Sequence, residues 1–257
     1  MILAIDIGNT NIVLGTYQEE RLVFVSRIRT ESEKTEDEYG VLIRSILRLH
    51  YQEPREITAV IISSVVPPLT AAMKRAANLL CSTATVLVVG PGVKTGLDIR
   101  IDNPAQLGAD LVSTSIGVLE KYPVPAITID LGTATKICMI DQNRSFRGCS
   151  IMPGVGIALE ALSKRTAQLP SISLEGDDIK LVGTNSIDSM RSGVVLGAAS
   201  MLDGMISRLE EEYGSFATIV ACGGVVNAIV PHCKHNITID PTLLLDGLYA
   251  IYRKNLK

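Results

Sequence analysis

The stretch LAIDIGNTNIV, residues 3–13, decides the fold. Apolar residues run up to Asp6 and Ile7. Gly8, Asn9, Thr10 and Asn11 interrupt them, and Ile12 and Val13 resume the run. That pattern reads as strand, tight turn, strand. A carboxylate at the end of a buried strand does not serve packing, because burying a charge is costly unless it is paired or binds a cation. Gly8 permits a tight turn and a close backbone approach. Short polar side chains and backbone N–H groups around such a turn suit phosphate oxygens, and the carboxylate suits Mg²⁺, directly or through water. Taken alone, the same residues also read as a hairpin turn with Asx-type self-bonding.

A second copy changes the balance. Residues 127–137 read ITIDLGTATKI. Asp130 answers Asp6, Gly132 answers Gly8, Thr133 answers Asn9 and Thr135 answers Asn11, about half the chain later. Duplication is the natural reading, and two such loops would clamp the phosphates of a nucleotide. The rest of the chain supports it. Strands are expected at 2–7, 11–17 and 21–30, then a helix at 35–50 opened by the capping box Thr35-Glu36-Asp37-Glu38. A strand at 57–64, a helix from Pro67 to Leu80 and a strand at 84–90 follow. A helix opened by Asn103-Pro104 then reaches about Tyr122. The second half repeats the plan. It has strands at 126–131, 135–141 and 145–151, a helix from Pro153 to Lys164 and a long helix at 186–212. Strands at 217–224 and 237–240 and a last helix from 242 complete it. Three strands with tight turns, then strand–helix alternation, twice over, give an α/β chain of two tandem domains with mixed sheets. The expected domains are 1–122, with the first loop, and 123–257, with the second.

The bulk properties exclude several classes. The 257 residues are 47% hydrophobic and 20% charged, with a net charge of −3, as in ordinary globular domains. A nucleic-acid footprint would need a basic patch or stripe, and none is visible. No apolar run approaches the roughly 20 residues that span a bilayer. No basic region precedes an apolar stretch at the start, so no signal peptide is expected. Five cysteines without CxxC spacing read as reduced thiols. The expectation is a cytoplasmic protein with no nucleic-acid or membrane partner.

The paired loops resemble the acetate/sugar kinase–Hsp70–actin superfamily, with its ribonuclease H-like, actin-like domains. The finer resemblance is to type III pantothenate kinases. DIGNTN (6–11), SSVVPP (63–68), GPGVKTGL (90–97), DNPAQLGAD (102–110), DLGTAT (130–135), GCSIMPG (148–154), LSKRTAQLP (162–170) and the SG of MRSG (190–193) follow in family order. The resemblance implies ATP-dependent phosphorylation of the pantothenate hydroxyl, the first step of coenzyme A synthesis. By that resemblance Asp6, Ile7, Gly8, Asn9, Thr10, Asn11, Ile12 and Val13 line the ATP phosphates, and Asp6 helps hold Mg²⁺. Gly132 and Thr133 contact ATP from the second loop. Asp130 holds a monovalent cation, K⁺ or NH₄⁺. Asp110 is the general base, with Gly108, Ala109, Leu111 and Ser186 beside the substrate. A homodimer is implied, with the pantothenate pocket at the subunit contact.

Three positions depart from the family pattern. Leu111 stands where GADR has arginine, Ser186 where the family has threonine, and Cys222-Gly223-Gly224 where Thr-Gly-Gly is usual near the adenosine. Leucine cannot make a charge-assisted bond to an acidic substrate; Leu111, four residues after Leu107, also extends an apolar face. A nucleotide-binding paralogue with a regulatory role, or a superfamily kinase for another hydroxyl substrate, are the alternative readings. Without the family pattern, Asp110 reads as a solvated helix-surface aspartate. His232-Cys233-Lys234-His235 reads as a surface loop, since no second cluster has zinc-like spacing. His50 reads as a polar residue ending a helix. The wide apolar band on 186–212 reads as core or as a dimer interface.

Overall fold

A computed structural model describes residues 1–174 and 179–256. The duplication is written in the sheet order. One five-stranded sheet runs β3-β2-β1-β4-β5, with β1 Ile2–Ile7, β2 Asn11–Gln18, β3 Arg21–Arg29, β4 Ala59–Ser64 and β5 Thr85–Val88. The other contains β9-β8-β7-β10-β11 in the corresponding order, with β7 Ala126–Leu131, β8 Ala134–Ile140, β9 Ser145–Pro153, β10 Thr218–Cys222 and β11 Thr238–Ile239. In each sheet the first three strands form an antiparallel meander and the next two add in parallel beside the first. A two-residue strand, β6 (Asp98–Ile99), pairs with the outer edge of β9 and has no counterpart in the other sheet.

The chain forms two compact units. Unit 1 comprises Met1–Leu97, Asp102–Lys121 and the described residues from Thr242 onward; unit 2 comprises Asp98–Ile101 and Tyr122–Pro241. This differs from a cut between residues 122 and 123. The last helix, α8 (Leu243–Lys254), packs in unit 1 against α3 (Ala109–Lys121). Gly117 and Gly247 are the reason. A Cβ on Gly117 would strike the Leu243 carbonyl, and one on Gly247 the Ser113 carbonyl. The two helices therefore meet backbone to backbone. Tyr17 of β2 stacks on Tyr249 of α8 with centroids 4.4 Å apart, and its hydroxyl donates to Asp246 Oδ1 at 2.6 Å.

The other face of the unit 1 sheet is covered by α1 (Glu36–Leu49) and α2 (Pro67–Leu80). Leu3, Ile5, Ile7, Ile12 and Leu14 alternate toward that face and share one core with Tyr39, Ile43 and Leu47 of α1 and Met73 of α2. The expected capping box at α1 is present. Glu38 N–H donates to Thr35 Oγ1 at 3.4 Å, and Thr35 N–H to Glu38 Oε2 at 2.8 Å. His50 ends α1 as expected, and its ring stacks on Phe24 with centroids 4.0 Å apart.

Two expected helices change shape. Asn103-Pro104 opens only a 3₁₀ turn, Pro104–Gln106; Leu107 is extended, and α3 starts anew at Ala109. The helix expected over 186–212 is α5 (Ser186–Arg191), a π-helical turn at Ser192–Leu196, and α6 (Gly197–Tyr213). Val195, Leu202 and Ile206 from this run fill the unit 2 core with Ile127, Ile129 and Leu131, so much of its apolar band is core. Val155–Arg165 forms α4, and a short α7, Val226–Ile229, was not expected. Among the described residues no helix is long and apolar enough to cross a membrane.

Candidate active site

The first loop closes between Ile7 and Ile12, which face each other across the β1–β2 ladder. Both side chains are fully buried, so only their backbone is available to a phosphate. Asn9 and Thr10 are exposed, while Gly8, Asn11, Val13 and Asp6 are half-buried. Gly8 N–H donates to the Asn11 carbonyl at 3.0 Å, and a Cβ on Gly8 would lie 3.0 Å from that same oxygen. Thr30, just past β3, pins the turn from outside. Its hydroxyl donates to the Gly8 carbonyl at 2.7 Å and its N–H to the Thr10 carbonyl at 3.0 Å. Thr30 carries no motif signal, and sequence reasoning missed it. The Asp6 carboxylate beside this glycine turn, with its Oδ1 shielded from solvent, is a donor set that fits Mg²⁺.

The GADL turn lies at the same sheet edge. Asp6 and Ile7 pair in register with Ser63 and Ser64 of β4. The next residue, Val65, donates its N–H to the Ile7 carbonyl at 3.0 Å. A Cβ on Gly108 would lie 3.6 Å from Val65 Cγ1 and would collide with Asp110 Oδ1. Glycine at 108 is thus what lets the Asp110 carboxylate fold back over the start of α3. Asp110 keeps only 9% of its surface accessible, so it is not a solvated helix-surface residue. The GADL turn thus lies by the carboxyl ends of β1 and β4, where open α/β sheets bind ligands. Leu111 is 8% exposed and belongs to the core of unit 1, which accounts for an apolar residue there.

Unit 2 repeats the loop with one residue fewer. Leu131 faces Thr135 and Asp130 faces Lys136, whereas Asp6 faces Val13. The match of Asn11 with Thr135 in the sequence echo is therefore one register step out. Thr133 is exposed. Gly154 N–H donates to the Thr133 carbonyl at 3.2 Å, and a Cβ on Gly154 would strike the Gly132 and Thr133 carbonyls. Gly223, at φ +112°, packs on the Leu131 backbone; only glycine combines that conformation with that contact. Gly223 of Cys222-Gly223-Gly224 thus serves the second loop itself. Asp130 is not open: Lys136 Nζ lies 2.8 Å from its Oδ2, and both side chains are 19% exposed. Lys136 was missed, although a lone charge in ATKICMI was the signal.

The later motifs converge on a cavity of about 930 Å³ within unit 2. Pro153, Leu162, Leu169, Ser186 and Gly193 all line it. Ser186 is exposed at the first turn of α5, capped by Asn185, whose Oδ1 accepts from Asp188 N–H at 2.9 Å. Ser192 Oγ donates to the Leu181 carbonyl at 2.7 Å within the π turn, a distortion frequent at functional sites. His235 Nδ1 lies 2.7 Å from Asp203 Oδ1, and among the described residues no group of three or more acidic, histidine or cysteine side chains is arranged to hold a metal ion.

Comparison with known proteins places the chain in a family. The chain is 41% identical over 259 residues to the type III pantothenate kinase of Halalkalibacterium halodurans, covering all of both chains. It is 42% identical over 257 residues to that of an Exiguobacterium species, again over both full lengths. Component A of (R)-2-hydroxyglutaryl-CoA dehydratase from Acidaminococcus fermentans shares the fold, with a TM-score of 0.55 at 13% identity over 98% of each chain. The sequence pattern of the family described as "Type III pantothenate kinase" matches residues 2–208. The chain belongs to the type III pantothenate kinase family, and it is a pantothenate kinase using ATP with a divalent metal.

Proposed function

We propose that Asp110 takes the proton from the primary hydroxyl of pantothenate while that oxygen attacks the γ-phosphorus of ATP. The new P–O bond forms as the bond to the β-phosphate bridging oxygen breaks, and ADP leaves. Such transfer is mainly positioning plus charge neutralisation. The first loop contributes backbone N–H groups and the short donors Asn9, Thr10 and Asn11, and Asp6 is the residue to hold Mg²⁺, which neutralises phosphate charge when bound. Gly132 and Thr133 hold the nucleotide from the second loop. Ser186 offers a hydroxyl to the acceptor at the rim of the unit 2 cavity. What supports the base assignment is one observation: Asp110 is buried, and the GADL turn lies beside Val65, with space for little more than a Cβ on Gly108 between them; Val65 is hydrogen-bonded to the end of the Asp6 strand. The protein works in the cytoplasm as a homodimer in this proposal. Exposed Ile151, Leu181, Val182 and Ile187 offer apolar surface for the contact.

The test incubates the pure protein with ATP, Mg²⁺ and pantothenate and follows ADP and phosphopantothenate. Asp110→Asn is expected to lower kcat by about 10²–10⁴-fold with ATP binding retained. Unchanged turnover rules out Asp110 as the base, and no turnover by the wild type at high substrate defeats the kinase assignment.

A further inference from the structure

The second loop carries a cation of its own. The β7–β8 register sets Lys136 directly across from Asp130, and the ammonium lies 2.8 Å from Oδ2. That is the length of a charge-assisted hydrogen bond. The corresponding ladder position in unit 1 is Val13, so the charge is particular to the second loop. Lys136 is the one charged residue of β8, whose Ile137, Cys138 and Ile140 are buried. Both partners of the pair are largely withdrawn from solvent. Surface ion pairs are common and weak, but this one occupies the carboxylate that the family resemblance gives to K⁺ or NH₄⁺.

The chemistry of the two occupants is close. A lysine side chain ends in a compact ammonium with three N–H donors, which is ammonium itself with one hydrogen replaced by a carbon chain. A free monovalent cation binding the same carboxylate would sit against a like charge. The residues at Asp130 therefore do not fit a separate K⁺ or NH₄⁺. We infer that Lys136 is a tethered monovalent cation that fills the site at Asp130 and makes this chain independent of added K⁺ or NH₄⁺. This inference rests on the proposed role of the second loop in holding the nucleotide.

Two measurements on the full chain decide it. Turnover is followed with Mg²⁺, ATP and pantothenate in a buffer whose only monovalent cation is tetramethylammonium, and again with KCl or NH₄Cl added. Wild-type turnover is expected to change by less than about twofold, whereas Lys136→Ala falls by about tenfold or more without K⁺ and recovers with it. Activation of the wild type by about tenfold overturns the inference, as does a Lys136→Ala enzyme indifferent to cation. The second measurement needs no turnover. Thallium-205 resonance reports Tl⁺, a K⁺ mimic, on the protein loaded with a non-hydrolysable ATP analogue. Wild type is expected to show no Tl⁺ binding that Asp130→Asn abolishes; such binding overturns the inference. Absence of turnover in every cation would defeat the kinase assignment alone, and the Tl⁺ result would still decide the role of Lys136.

Discussion

Gly247→Ala tests whether the α3–α8 crossing holds in place the helix that carries Asp110, the proposed base. The added methyl would lie inside the Ser113 carbonyl, with the Gly117 nitrogen 2.9 Å away. Ser113 is one turn along α3 from Asp110. Non-bonded carbon contacts are comfortable only near about 3.5–4.0 Å, so the two backbones have to part by on the order of 1 Å. Overpacking of this kind destabilises by about 1–3 kcal/mol. A displacement of ~1 Å in a catalytic group costs on the order of 100-fold in rate. The expected result is therefore a lower melting temperature and a kcat reduced by roughly two orders of magnitude, with ATP affinity less affected. Gly204→Ala is the matched control. It lies on the exposed side of α6 with nothing within 4 Å of the new Cβ, and it should stabilise by about 0.4–1 kcal/mol. Calorimetry and ADP release on both variants give the answer. A Gly247→Ala enzyme with wild-type melting and wild-type kcat would refute the claim that this crossing positions Asp110.

Thr35→Ala removes the reciprocal cap of α1 and should cost about 1 kcal/mol, read as a fall of about 2–4 °C in melting temperature. At Asp203, burial pushes the carboxyl up, but hydrogen bonds from the His235 side chain and from the His235 and Lys234 N–H groups outweigh it and hold it below its ordinary 3.8. A depressed carboxylate contributes stability that is fully present above the unfolded value and lost as pH falls through the folded one. The melting-temperature gap between wild type and Asp203→Asn should thus be constant above about pH 5 and narrow as pH drops below 3.8. A gap that widens in acid would contradict it.

Much of this molecule is legible from its sequence, because apolar periodicity and turn residues act locally. The meanders, both polar loops and the cap at Thr35 all follow from residues within a few positions of one another. What escaped depends on partners far along the chain. Nothing near residue 243 says that α8 crosses back onto α3; the signal is Gly117 paired with Gly247, and it has meaning only once the helices touch. The slip between the two loops arises because matched letters do not fix ladder register. The second turn is one residue shorter, and that single residue exchanges Val13 for Lys136 across from the aspartate. Asp110 read as solvated without the family pattern because a 3₁₀ turn and an extended Leu107 re-aim the start of α3, which residue counting from Asn103 does not capture.

The placement of α8 also sets an order on folding during synthesis. Chains emerge from the ribosome N-terminus first. Unit 2 ends at Pro241 and is therefore complete before α8 exists. Unit 1 begins earlier, yet the backbones of Gly117 and Ser113 lack the helix that covers them until residues 243–254 have been made. The half of the protein that is translated first is the half that finishes last, and the GADL turn at the head of α3 acquires its final support only at that closing step.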